Sequence, residues 1–201
     1  RDLAAADGWQ LMQDGSVWVM FNHQSSPRGG DEVVAPNWWM LMATRKTSHG
    51  TFAFESMLSL DPATVGGEGY RELLQTGESF RGQPVIDRQH PHDLFMGLSA
   101  SWRVALPAST RLTIRGGPVD APALGPIAFM HRASAFDNPM APLSHHLLDS
   151  THISFGVITG GVYGKRWKAE TSLFNGREPD EQRTDFDFGA LDSVSGRLWF
   201  L

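Results

Sequence analysis

The residues best suited to chemistry are histidines, and six of the eight crowd into three short runs. His90 and His92 flank Pro91 in HPHD, with Asp93 next. His131 follows Met130 in FMHR. His145, His146 and His152 lie in HHLLDSTH, with Asp149 between them. Imidazole is a borderline ligand that suits zinc, copper, nickel and iron. In extended backbone, residues two apart project to the same side, so His90 and His92 could share one ion. Asp93 would ligate it or orient a ring. His145 and His146 would point oppositely in extended chain, and His152 is expected to open a strand on its polar face. A thioether plus an imidazole at Met130 and His131 favours copper if both bind.

The candidate metal ligands are therefore His90, His92, Asp93, His131, His145, His146 and His152, for zinc or copper. His23 is a further candidate, and His49 is excluded as lying in a short turn at the other end. The opposing reading is structural: histidines satisfying backbone carbonyls in packed loops. No spacing matches HExxH or a zinc-finger frame. A metal-dependent hydrolase or oxidase using the same histidines is the alternative function, with no catalytic residue identified. Asp185 and Asp187, near Glu178, Asp180 and Glu181, make an acidic loop, suited to calcium or simply solvated. Nucleophile-elbow, P-loop and dinucleotide motifs are absent, and Glu55 and Glu170 have no separation readable from sequence.

The elements that must position these groups read as strands. Period-two alternation recurs over residues 8–23, 37–45, 51–60, 94–106, 111–116, 151–163, 167–174 and 193–201. One short helix is expected at 70–77. Connections alternate: 24–36, 61–93, 117–150 and 175–192 are long, whereas 46–50, 107–110 and 164–166 are short. In an antiparallel meander this gathers the six histidines at one end. Glu55, Arg103, Arg111, Arg115, Lys168, Glu170 and Arg197 all project from the face opposite the apolar one. Short turns at one end, long loops at the other and segments near ten residues describe an outer-membrane barrel. A soluble sheet with one wet face is the alternative. The fold expected is thus all-β, a single domain over 1–201, an up-and-down outer-membrane β-barrel of about eight strands.

Composition narrows the partners. The formal net charge is −5 and no basic run occurs, which excludes a nucleic-acid footprint. The absence of cysteine excludes thiolate metal sites and disulfides. No apolar run reaches the roughly 18 residues of a membrane-spanning helix. The opening RDLAAADGW shows no signal peptide, so one is expected to have been removed or left out.

Five segments, RQHPHDLFM (88–96), ALGPIAFMHRASA (123–135), PLSHH (142–146), DSTHISFGV (149–157) and FNGREPDE (174–181), carry a resemblance. There the chain resembles a family of uncharacterised Gram-negative bacterial proteins, predicted to be outer-membrane β-barrels. The resemblance runs from about Gly8 to the C-terminus. It implies a β-rich envelope protein and supplies no catalytic residues. Family members continue beyond WFL, so the chain is expected to be a fragment of a larger barrel. The function expected is a porin-like or structural barrel of the bacterial outer membrane. Its partners would be lipid, envelope proteins or further copies of itself. A sleeve or anchor subunit of an envelope complex is a second alternative.

Overall fold

Residues that alternate apolar and polar side chains cannot bury either kind as a helix, but they sort cleanly across a pleated sheet. The computed structural model describes residues 2–3 and 8–200. In chain order the strands are β1 (Asp2–Leu3), β2 (Trp9–Val17), β3 (Met20–Gln24), β4 (Gly30–Val34), β5 (Asn37–Thr47) and β6 (Gly50–Leu58). They continue with β7 (Tyr70–Phe80), β8 (Gln83–Gln89), β9 (Phe95–Leu106), β10 (Thr110–Asp120), β11 (Ser154–Tyr163), β12 (Trp167–Phe174) and β13 (Ser193–Phe200). Two single-turn helices, α1 (Asp61–Thr64) and α2 (His145–Leu148), and 3-10 turns at Phe129–His131 and Ser150–His152 interrupt the connections. No described helix is long and apolar enough to cross a membrane.

Nine strands form one antiparallel sheet in the order β1-β2-β5-β6-β9-β10-β11-β12-β13, the two-residue β1 at one edge and eight long strands beyond it. Neighbours in that sheet are consecutive in the chain except where a hairpin, β3–β4 or β7–β8, is inserted. The architecture is therefore the expected all-β meander. The tight turns lie at one end. The long connections, with both hairpins and all the helical turns, lie at the other.

Four local expectations are corrected. The segment 8–23 is not one strand. It breaks after Val17: the Trp18 N–H still bonds Pro36 O at 3.0 Å, in register with β5, but Pro36 has no N–H to return and the ladder ends there. β3 then pairs with β4, which occupies part of the expected loop 24–36. Residues 70–77 are strand, not helix. The Leu74 N–H is taken by Asp87 Oδ1 at 2.8 Å and the Arg71 N–H by Glu32. The φ angles of Leu74 and Gly77 are +75° and +130°, outside the right-handed helical range. β11 starts at Ser154, so His152 sits in a 3-10 turn ahead of it, not on a strand face. Alternation puts Met96 on the apolar face with Leu98, Ala100, Trp102 and Val104, but it turns to the face that carries the charges, because the β6–β9 register shifts at Met57/Leu58 and such an irregularity re-aims a side chain. Leu201, expected in the last strand, lies outside the described residues.

The two faces are inverted relative to a water-soluble sheet. Phe52, Phe54, Ile114, Ile158, Leu173, Val194, Leu198 and Phe200 are exposed, while Ser99, Thr113, Thr159, Ser172 and Ser195 are buried. The connection 121–153 covers the polar face. Its Ala123 N–H donates to Ser172 Oγ at 2.7 Å, and Arg197 reaches back to Gly125 O at 3.0 Å. Phe129, Met130, Ala141 and Ile153 of this connection pack on Trp38, Met57, Met96, Val119 and Phe155 of the sheet. Charges beneath are paired: Arg115 grips Asp120 at 2.7 and 2.6 Å and Glu55 at 2.9 Å, and Glu170 holds Lys168 at 2.9 Å and Arg197 at 3.0 Å.

Candidate functional site

Five imidazoles form one continuous chain where the long connections meet. His90 stacks on His146 with ring centroids 5.1 Å apart, His146 meets His145 at 5.4 Å, His145 meets His152 at 5.0 Å, and His152 meets His92 at 5.8 Å. Two connections deliver these rings: His90 and His92 follow β8, whereas α2 with His145 and His146 and the turn that ends at His152 both lie between β10 and β11.

Each ring is fixed at Nδ1 by an oxygen. Asp61 Oδ2 holds His92 at 2.9 Å, Asp149 Oδ1 holds His145 at 2.7 Å and Asp149 O holds His152 at 2.9 Å. Thr76 O holds His146, and Pro91 O lies 2.9 Å from His90 Nδ1. A carbonyl only accepts, so His146 and His152 donate Nδ1–H and, when neutral, leave a lone pair on Nε2. The Nε2 atoms of His92, His146 and His152 are buried without any hydrogen-bond partner. An unmet buried polar atom costs about 1–3 kcal/mol, so three in one place mark ligand-seeking groups. An oxygen on Nδ1 is also how proteins set the tautomer and aim of metal-binding imidazoles. His90 differs: its Nε2 already meets Glu78 at 2.9 Å.

Electrostatics keep the centre of the chain neutral. Burial, then the neighbouring imidazoles, pushes the pKa of His145 down to about 2. Burial, then His92, pushes that of His152 down to about 3. Burial also lowers His90, against the pull of Glu78. The flanking carboxylates stay ionised. Burial would raise Glu78, but His90 and Arg183 overcome it and hold it at about 2. At Asp61 burial is likewise outweighed by His92 and the Asn37 N–H. Glu78 sits at φ +57°, a strained conformation that persists where surroundings impose it. Gly77 beside it has no side chain to spare: a methyl there would strike the His146 ring.

The expected ligands are thus brought together in part. His90 and His92 do not share a partner; Glu78 and Asp61 draw them apart, one to His146 and the other to His152. His131 lies off the chain, edge-on to Trp38 at 5.5 Å. Asp93 is buried, 3.6 Å from Arg183, and burial raises its carboxyl to about 6. It shares a cavity of about 130 Å³ with Glu78, His90 and His152. His23 stands apart on the β3–β4 hairpin, paired with Asp31 at 2.5 Å. No three imidazole nitrogens of the described residues lie within 4.8 Å of one another. Among the described residues only Asp180, Asp185 and Asp187 bring three such ligand atoms that close. The imidazole chain is therefore an open row and not a closed cage. Ligands around a tetrahedral ion sit about 2.0–2.1 Å from it, so binding requires rings to swing inward.

Asp61, Thr76, Gly77, Glu78 and Arg183 escaped the sequence reading, since the first four are placed by the fold of the β6–β9 connection and Arg183 by that of the β12–β13 connection, and no spacing ties them to a histidine. No family model, curated protein or solved structure matches the chain.

Proposed function

We propose that the chain forms a β-barrel of the bacterial outer membrane, porin-like or structural, with its long connections packed into the lumen. In this reading the row of imidazoles at the loop end binds zinc or copper. One observation carries the reading: the aliphatic and aromatic face of the sheet is the bare one, and the hydroxyl and charged face is the covered one. Each large apolar side chain left in water forgoes up to roughly 1.5–3 kcal/mol. Eight of them would together forgo as much as the whole stability of a typical domain, about 5–15 kcal/mol. Lipid removes that penalty. The long strands, of 8 to 12 residues, match the roughly 9–11 residues of a tilted transmembrane strand. A bilayer tolerates no open edge, so β13 and the β1–β2 edge would pair with one another or with further strands.

The metal half of the proposal is tested by titrating the detergent-folded protein with Zn(II) and Cu(II). Binding is expected, and Asp149→Asn should weaken it about 10–100-fold, the usual effect of removing a carboxylate that orients a ligating imidazole. No binding by the parent protein, or equal binding by the variant, would remove the site.

A further inference from the structure

The polar face of the sheet encloses a second cavity, of about 480 Å³, separate from the small one beside Asp93. Five of the eight methionines in the chain line it: Met40, Met42, Met57, Met96 and Met130. The strands fix four of them together. Met40 and Met57 are direct partners across β5 and β6, Met42 is two residues along on the same face, and Met57 pairs with Gly97, next to Met96. Directly opposed side chains start about 4.5–5.5 Å apart at Cβ, within reach of flexible thioethers. Met130 closes over them from the connection above, and the imidazole of His131 enters the same wall.

Methionine is often an adaptable filler of irregular cores, and that explanation can be weighed against this wall. A filler role is open equally to Leu, Ile, Val and Phe, which this chain uses freely on the outward face. Yet, Tyr163 apart, every large apolar side chain that a strand contributes to the cavity is methionine. The rest of the strand wall is charged, hydroxylated or glycine. Thioether is thus the one soft donor on a strand wall that is otherwise polar, beneath a covering of Leu124, Pro126, Ile127 and alanines from the connection. Thioether ligands select Cu(I) over zinc and other borderline ions. The His131 ring makes no hydrogen bond to another described residue, so a nitrogen is available beside the sulfurs. His152 lines this cavity as well as the small one, which joins the thioether wall to the imidazole row.

We infer that this cavity is a binding site for monovalent copper, held by two or three of the thioethers that Met40, Met42, Met57, Met96 and Met130 offer, with His131 as the nitrogen donor. The inference requires neither that the imidazole row bind a metal nor that the sheet close into a barrel.

The test is competition for Cu(I) between the detergent-folded protein and a chromophoric Cu(I) chelator, without oxygen. The parent protein should withdraw copper stoichiometrically. A variant carrying Met40→Leu, Met42→Leu, Met57→Leu and Met96→Leu nearly conserves volume. It should lose more affinity than the roughly 10–100-fold that follows loss of even an outer hydrogen-bond partner, while Zn(II) titration gives the parent's result. X-ray absorption on the copper-loaded parent needs no variant and should show copper–sulfur scattering. A parent that takes no Cu(I), a four-leucine variant that competes as well as the parent, or copper bound by nitrogen and oxygen alone would each overturn the inference. A parent that takes up Cu(I) but no Zn(II) would instead count against the imidazole row.

Discussion

On β10, Thr113 is 7% exposed while its neighbour Ile114 is 56% exposed; on β13, Ser195 is 9% exposed and Val194 75%. The outward face is mainly aliphatic and aromatic, with isolated polar residues such as Ser56 and Thr171. The covered face holds paired charges, buried hydroxyls, five methionines and, at its loop end, the row of imidazoles. The contrast shows that one alternating pattern separates a bare apolar face from a covered polar one. The row of imidazoles and the buried charges are gathered on the covered side, where protein surrounds them.

The largest effect should come from placing a charge on the outward face. Ile158→Arg near the middle of a spanning strand would cost roughly 2–4 kcal/mol in a bilayer. It should sharply reduce the fraction of protein that assembles in membranes and migrates as a compact species before heating. At an exposed position of a soluble sheet the same change is worth within about 0.5 kcal/mol, so unaltered assembly would break the comparison between the faces.

A smaller effect sharpens the covered side. Free histidine charges below about pH 6.5, whereas burial and neighbouring rings hold His145 near 2 and His152 near 3. Between those values the unfolded chain binds more protons than the folded one. The stability these rings contribute is therefore complete above pH 6.5 and is lost as pH falls, by up to about tenfold per pH unit for each ring. Asp93 and Glu72 titrate in the opposite sense, because burial raises them to about 6 and about 7, and they offset part of the loss. Site-resolved nitrogen NMR isolates the rings: His145 and His152 should still be neutral at pH 5, and charged rings there would contradict the buried row.

Much of this was legible in the sequence for a physical reason. Period-two alternation sets strand positions, and alternating connection lengths set which ends meet, so the gathering of His90, His92, His145, His146 and His152 followed from order alone. Alternation does not reveal which face is covered; that depends on where connection 121–153 packs. The β7–β8 hairpin was hidden because carboxylates, Asp87 for Leu74 and Glu32 for Arg71, satisfy its N–H groups in place of a regular ladder. The pairing of His90 with His146 was hidden because Glu78 and Asp61, from distant segments, decide where each ring turns. Met96 was misplaced on the apolar face because a register shift leaves no mark in the residue pattern.

The absence of cysteine makes the most direct test clean. Single cysteines introduced along β10, β11 and β13 can carry spin labels, whose collisions with oxygen dissolved in lipid and with a water-soluble nickel reagent are compared in reconstituted bilayers. Positions 114, 158, 194 and 198 should favour oxygen, with positions 113, 159 and 195 shielded from lipid, in strict alternation along each strand. Equal access of the nickel reagent to the Ile114, Ile158, Val194 and Leu198 positions would show that this face meets water and would contradict the account.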